Sequence, residues 1–402
     1  MPRKLISTQP RAERVYLVGV QLKGRPGLWA AEDSVQELAE LARSAKAFVV
    51  GSMIQRLERP TPVYLGKGKL EDLRDLVMRK RVNTVIFDDE LTPTQQRNVE
   101  NALGGVKVID RTALILDVFA QRARTKEGRL QVELAQHEYL LPRLAGQWTH
   151  LERLGGGIGT RGPGETQIET DRRLVRRRIR KLNKDVDDVS RHRSLYRSKR
   201  RASGVPVASL VGYTNAGKST LLNRLTNADV AAEDMLFTTL DPVTRKIQTP
   251  VGRDVLLTDT VGFIQKLPHA VVAAFRATLE EVQESTLVIH VLDITHPNAA
   301  EQSEVVEKIL AEMGIASKPR ILVLNKIDLL EPLESSGESP NGTPPIQELA
   351  EGQRRVVFTS AQTGEGMDGL RAAIDDLLSD MEEPDETAGA QLAGAFIPDD
   401  AC

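Results

Sequence analysis

Val207-Ala-Ser-Leu-Val-Gly212-Tyr-Thr-Asn-Ala-Gly217-Lys218-Ser219-Thr220 is the stretch whose reading decides the fold. An apolar, β-branched run ends in a glycine, and Gly217-Lys218-Ser219 then opens a helical stretch through Leu221 and Leu222. Strand, glycine loop and helix form the setting in which a G-x-x-x-x-G-K-S loop cradles phosphates. The glycines let backbone N–H groups turn toward α- and β-phosphates at the helix N-terminus. Lys218 supplies positive charge to the β- and γ-oxygens, and Ser219 can ligate Mg²⁺.

Working outward, Val255-Leu-Leu-Thr-Asp259-Thr-Val-Gly262 ends a second apolar strand in a carboxylate that can approach a magnesium shell, and the Gly262 N–H can reach a γ-phosphate. Asp-x-x-Gly alone is a common turn; its place after the phosphate loop is what gives it meaning. Ile321-Leu-Val-Leu-Asn325-Lys326-Ile327-Asp328 stands at another strand's carboxyl end, where open α/β sheets bind ligands. Asp328 can accept from the N1–H and exocyclic amine of guanine, donors that adenine lacks there, while Asn325 and Lys326 hold the base pocket. GTP is therefore expected rather than ATP. Ser360-Ala361, after an expected strand from Val356 to Phe358, takes the place of the last base-contacting loop. Phe237-Thr238-Thr239-Leu240-Asp241-Pro242 lies where a threonine would ligate Mg²⁺ when a γ-phosphate is bound, and Thr239 is preferred to Thr238. The expected Mg²⁺ ligands are thus Ser219, Thr239 and Asp259; Lys218, Thr239 and Gly262 are expected to act on the transferring phosphate.

Upstream, short runs at Val15 to Val20, Ala47 to Val50, Thr84 to Phe87 and Val106 to Ile109 alternate with helical stretches at Asp33 to Ser44, Leu70 to Arg79 and Thr92 to Leu103. That alternation predicts a small α/β domain with a largely parallel sheet. Gly66-Lys67-Gly68-Lys69 reads either as an exposed turn before a helix or as a basic loop tip touching a phosphate backbone. A long helical stretch starts near Lys126, with Leu130, Leu134, Leu141 and Leu144 on helical spacing and Pro142 placed to end or bend it. After the glycine-rich segment from Gly155 to Gly164, Val175, Ile179, Leu182, Val186, Val189 and Tyr196 recur at intervals of three and four, as on a helix packed along one seam. Together the two stretches predict an antiparallel helical hairpin.

The outer face of the second helix carries Arg172, Arg173, Arg176, Arg177, Arg178, Arg180, Lys181, Arg191, Arg193, Arg197, Lys199, Arg200 and Arg201, with few acidic residues to offset them. Such a run is either a solvated face or a nucleic-acid contact. Arginine dominates over lysine, which suits bidentate phosphate contacts and counterion release. Without interleaved aromatics, single-strand base stacking is disfavoured relative to backbone or duplex contact.

A chain of 402 residues exceeds what one core usually serves, so more than one domain is expected. Its net charge of −2 conceals the segregation just described. The single cysteine, Cys402, permits no disulfide framework or cysteine metal site within the chain, and a reducing, cytoplasmic location is expected. No run approaches the roughly 20 apolar residues that span a bilayer, and Cys402 does not sit in a prenylation box. Residues 331–345, rich in Ser, Gly and Pro, read as a surface loop, and residues 381–402 as an acidic disordered tail.

At this point the chain resembles the HflX family of translation-factor-related GTPases. The resemblance rests above all on Gly155-Gly-Gly-Ile-Gly-Thr-Arg-Gly-Pro-Gly-Glu-Thr-Gln-Ile-Glu-Thr-Asp-Arg-Arg173, with Ile86-Phe-Asp-Asp-Glu, Ile109-Asp-Arg-Thr and Gln131-Val-Glu-Leu-Ala-Gln upstream, and it runs from about Val15 to Leu378. It implies an N-terminal α/β domain (residues 1–120), a helical hairpin with an ordered glycine-rich hinge (121–204, hinge 155–164) and a C-terminal Ras-like P-loop G domain (205–380). It also implies that Gly212, Tyr213, Thr214, Asn215, Ala216, Gly217, Lys218, Ser219 and Thr220, with Thr239, Asp259, Gly262, Asn325, Lys326 and Asp328, bind Mg-GTP. The implied partners are the large ribosomal subunit and ribosomal RNA, not DNA, and the implied activity is GTP-dependent splitting of stalled or idle ribosomes by a factor that is monomeric off the ribosome. A GTP-regulated RNA-binding factor in large-subunit assembly or RNA remodelling is the alternative; a membrane-anchored signalling G protein is disfavoured. Thr238 and Val243 depart from the family's expected alanine and threonine but are not expected ligands. No second P-loop is visible in the N-terminal region, so no ATP site is expected there. One position bears directly on rate. Ras-like GTPases place a water-orienting glutamine directly after the Asp-x-x-Gly glycine, and here that position is Phe263, so intrinsic turnover is expected to be slow and ribosome-stimulated.

Overall fold

The computed structural model describes residues 13–24, 29–144, 163–202, 204–226, 235–268, 271, 275–330 and 355–382. Most of the glycine-rich segment, the loop at 331–345 and the tail beyond residue 382 lie outside the described residues.

The N-terminal part is built from β1 (Arg14–Leu22), α1 (Ala31–Ser44), β2 (Phe48–Leu57), α2 (Lys67–Lys80), β3 (Thr84–Phe87), α3 (Pro93–Ala102), β4 (Lys107–Asp110) and α4 (Arg111–Arg122). Its four strands are parallel, in the order β2-β1-β3-β4. Alternation along β1 supplies both faces: Val15 and Leu17 join Val35 and Leu38 of α1 and Leu116 of α4, while Tyr16, Val18 and Val20 pack with Leu73 and Val77 of α2 and Val99 of α3. Helix α3 starts on a reciprocal Thr92–Gln95 capping box with Pro93 in its first turn. β2 continues well past Val50, because Met53 and Ile54 keep packing against the sheet's two faces. Gly66-Lys67-Gly68-Lys69 is not a loop tip: Lys67 to Lys69 form the first turn of α2, and the Gly66 N–H donates to the Gln55 side chain at 2.9 Å.

Helix α5 (Lys126–Leu140) is capped by the Thr125 hydroxyl and gives way to a turn at Leu141. Opposite it runs α6 (Pro163–Ala202), a 40-residue helix whose first two residues, Pro163 and Gly164, come from the glycine-rich segment. Arg178 pairs with Glu133 and Arg193 with Glu127, so numbering falls along one helix as it rises along the other and the hairpin is antiparallel. Leu182 is fully buried in the seam, with Val175, Ile179, Val186 and Val189 half-buried. Not every arginine of α6 faces outward: Arg193 is also within 3.6 Å of Glu281, beneath the C-terminal part.

The C-terminal part contains β5 (Val207–Gly212), α7 (Lys218–Thr226), β6 (Val243–Gln248), β7 (Asp254–Asp259), α8 (Arg276–Glu284), β8 (Leu287–Asp293), α9 (Ala299–Glu312), β9 (Arg320–Asn325), β10 (Val356–Thr359) and α10 (Met367–Glu382). Its six strands take the order β10-β9-β8-β5-β7-β6, parallel throughout except for the β6–β7 pair. β8 is buried at every residue, as a central parallel strand must be. The carboxyl ends of β5, β7, β9 and β10 bring Gly212, Asp259, Asn325 and Ser360 to one edge of the sheet.

Candidate functional site

The loop from Gly212 to Gly217 curls over the N-terminus of α7. Lys218 is buried, and its ammonium donates to the carbonyls of Tyr213 (2.7 Å) and Gly212 (3.1 Å), so it points back into the loop it closes. Burial brings this ammonium down to about 8, while Asp259 pulls the other way. Gly217 has φ +93°, and a Cβ there would lie 2.3 Å from the Asn325 amide nitrogen. Only glycine lets the phosphate loop approach the base-pocket strand so closely.

Ser219 Oγ donates to Asp259 Oδ2 at 2.6 Å, Thr239 Oγ1 donates to the same oxygen at 2.9 Å, and the two hydroxyls are 2.8 Å apart. The Thr238 hydroxyl instead turns back to the Met235 carbonyl at 2.9 Å. Asp259 is fully buried, its Oδ1 has no hydrogen-bond partner, and burial pushes its carboxyl upward against the bonds from Ser219 and the charge of Lys218. One carboxylate and two hydroxyls converging beside a phosphate loop are hard oxygen donors of the kind Mg²⁺ takes when phosphates and waters complete its octahedron. The residues present therefore fit the ion.

At the base end, Asn325 is a brace. Its amide nitrogen donates to the Ala216 carbonyl at 2.8 Å, and its Oδ1 accepts from Thr359 (3.1 Å) and the Ala361 N–H (3.0 Å). Ser360 Oγ donates to Asp328 Oδ1 at 2.5 Å and so positions that carboxylate. Lys326 pairs with Asp293 at 2.7 Å. Every site residue named from the sequence within the loops at 212–220, 259–262, 325–328 and 360–361 thus lies along this one edge.

Comparison with known proteins fits this geometry. The N-terminal model of GTP-binding GTPases matches residues 32–120, the middle-region model matches 122–200, and a 50S ribosome-binding GTPase model matches 207–326. The GTPase HflX of Caldanaerobacter subterraneus subsp. tengcongensis is 51% identical over 345 residues, covering 86% of this chain and 77% of that one. The chain belongs to the HflX family of GTPases. The GTPase HflX of Escherichia coli is 47% identical over 348 residues, 86% of this chain and 79% of its own. A GTP-binding protein of Sulfolobus solfataricus, solved with GDP, is 26% identical across 92% of this chain and 100% of that one, with a TM-score of 0.46.

In this HflX-family chain the motif residues Tyr213 and Phe263 turn from the loop edge to partners that the motifs did not single out. Tyr213 turns its side chain away from the loop: its hydroxyl donates to Glu37 of α1 at 2.5 Å and accepts from the Gln265 N–H at 2.8 Å. Burial, then the Glu37 charge, raises this phenol. Glu37 also binds the fully buried Arg111, which reaches Asp88 at 2.9 Å. Asp88 and Asp89 in turn hold Lys266. On the other side, Asp241 accepts from the Arg124 and Thr125 N–H groups, both at 2.8 Å, and Phe237 meets Phe119 edge-on at 4.7 Å. Both segments that would sense a γ-phosphate therefore rest on the N-terminal half. Phe263 is part of that contact: its side chain is buried in the apolar core that the two halves share, and its backbone bonds to Gly212 and Thr214. The signal in the sequence was faint, being a tyrosine and a phenylalanine where small or polar residues would serve the nucleotide alone.

Proposed function

We propose that this chain is a ribosome-stimulated GTPase that binds the large ribosomal subunit and splits stalled or idle ribosomes in its GTP form. The observation that carries the reading is the convergence of Lys218, Ser219, Thr239 and Asp259 at one end of the site with Asn325 and Asp328 at the other. In this reading, backbone N–H groups of residues 212–220 and the Lys218 ammonium hold the phosphates, and Ser219, Thr239 and Asp259 hold Mg²⁺, which neutralises developing charge on the β- and γ-oxygens. Gly262 offers its N–H to the γ-phosphate, while Asn325, Lys326, Asp328, Ser360 and Ala361 select guanine. With Phe263 in the glutamine's place, intrinsic turnover is slow. The parts are residues 1–120, 121–204 and 205–380, with a tail at 381–402, in a cytoplasmic protein that is monomeric off the ribosome.

Ribosomal RNA as partner is supported by the exposed residues Arg173, Arg177, Arg180, Lys181 and Lys184 of α6 and by the printed description of the family matched at 207–326. The deciding experiment measures GTP turnover with and without large subunits, alongside subunit separation by light scattering, with Lys218→Ala as control. Strong stimulation and GTP-dependent separation support splitting. Unchanged turnover without separation overturns it, and tight GTP-dependent binding to precursor subunits would then favour the assembly role.

A further inference from the structure

The missing glutamine leaves a chemical task, and the residues around the γ-phosphate corner can be taken in turn. The Phe263 side chain is apolar and buried, and its N–H is taken by the Gly212 carbonyl. Gln265 directs its amide to Ser34 at 3.3 Å. The Tyr213 hydroxyl is engaged by Glu37 and Gln265, Thr260 donates to the Leu210 carbonyl, and Ser219 and Thr239 are turned to Asp259. Thr214 differs from all of these. It is only 6% exposed, its N–H donates to the Phe263 carbonyl at 2.8 Å, and its Oγ1 is buried with no hydrogen-bond partner.

Its position is as telling. A Cβ built on Gly262 would lie 2.7 Å from Thr214 Cα, 2.9 Å from Thr214 Cγ2 and 3.0 Å from the Lys218 ammonium. Thr214, Gly262 and Lys218 therefore meet at one corner, and they line, with Ser219 and Thr239, a cavity of about 50 Å³. A buried hydroxyl without a partner is disfavoured unless something polar meets it. A hydroxyl can donate one hydrogen bond and accept others, the same pair of functions a water-orienting glutamine provides.

We propose that Thr214 is a catalytic residue of the GTPase step: a turn about χ1, exchanging the methyl that stands nearest Gly262 for the hydroxyl, lets that hydroxyl donate to a γ-phosphoryl oxygen and accept from the attacking water. The water oxygen forms the new bond to the γ-phosphorus, and the bond from that phosphorus to the β–γ bridging oxygen breaks with its electron pair leaving on GDP. The water's proton ends on inorganic phosphate, and the threonine leaves the cycle unchanged. The proposal rests on the nucleotide-site reading given above.

The test compares Thr214→Val, which keeps the shape and removes the hydroxyl, with Thr214→Ser, which keeps the hydroxyl, in the full chain. Single-turnover GTP hydrolysis and the affinities for fluorescent GTP and GDP are measured for each. The expected result is a loss on the order of a hundredfold in hydrolysis for Thr214→Val, as for removal of one transition-state hydrogen-bond donor, a GTP affinity lowered by no more than about tenfold, and near-complete rescue of both in Thr214→Ser. Should Thr214→Val not fold, Thr214→Ala against Thr214→Ser gives the same comparison. Equal hydrolysis in the variants lacking the hydroxyl, or a serine variant as slow as the valine one, overturns the assignment. Lys218→Ala separates the two readings: if it leaves GTP affinity unchanged, the nucleotide site itself falls; if affinity drops and Thr214→Val still turns over normally, only the role of Thr214 falls.

Discussion

At the scale of single residues, the site is held by charges whose partners are specific. Lys218→Ala should weaken GTP binding by about 10- to 100-fold, the worth of one charge-assisted hydrogen bond, as read by titration with a fluorescent analogue. A second residue reports on pH. Glu307 of α9 is brought down to about 2 by its hydrogen bond with His290 and then by Arg320, against the effect of half-burial. A carboxylate depressed in the folded state adds stability above its unfolded pKa, and that stability is lost as pH falls through the folded value. Glu307→Gln should therefore lower the melting temperature at neutral pH by the equivalent of about 0.5–1 kcal/mol, a figure already discounted for solvent screening. The difference from the parent chain should vanish between about pH 4.3 and pH 2, which thermal scans along a pH series would show. That the motif residues gather at the strands' carboxyl ends was legible in the sequence, because each motif places a donor, an acceptor or a missing side chain at a strand's end. The two threonines differ in placement: the Thr239 hydroxyl lies beside Ser219 and Asp259, whereas that of Thr238 is turned to Met235. Nothing local marked Glu37 or Lys266, because their roles depend on partners far away in the chain.

Among the elements, α6 is the one whose reading changed most. Periodicity located its seam, but a charge count could not tell which arginines are spent on ion pairs, and Arg178 and Arg193 are. Arg173, Arg177 and Arg180 recur at spacings of four and three, share one exposed face, and lie opposite Leu182. Replacing all three with glutamate should leave GTP affinity intact, abolish binding to large subunits at physiological salt, and, measured at low salt, reduce the slope of log affinity against log salt by about 2–3. An unchanged slope would mean that this face is merely solvated. Gly66 to Lys69 shows the opposite error: the glycines suggested a loop, whereas the following Leu70, Leu73 and Val77 carry enough helical periodicity to extend α2 back through Lys67.

For the whole molecule, the parallel sheets could be expected from alternating strands and helices, but the way the two halves meet could not. Buried Arg111 satisfies Glu37 and Asp88 together, and Glu37 binds the Tyr213 hydroxyl across the interface. Removing one partner of a buried pair leaves an uncompensated charge, so Glu37→Ala should cost about 3–5 kcal/mol. In chemical denaturation the loss should appear in the N-terminal and G parts together; a G part with unchanged stability would show that the contact contributes little to it.

Helix α6 joins these halves physically. Forty residues of α-helix extend about 60 Å, from the glycine-rich segment at one end to within a few residues of β5 at the other. By that length alone, a tilt of about 5° at the G-domain end would carry the far end through about 5 Å. A displacement of that size would match the separation of neighbouring strands.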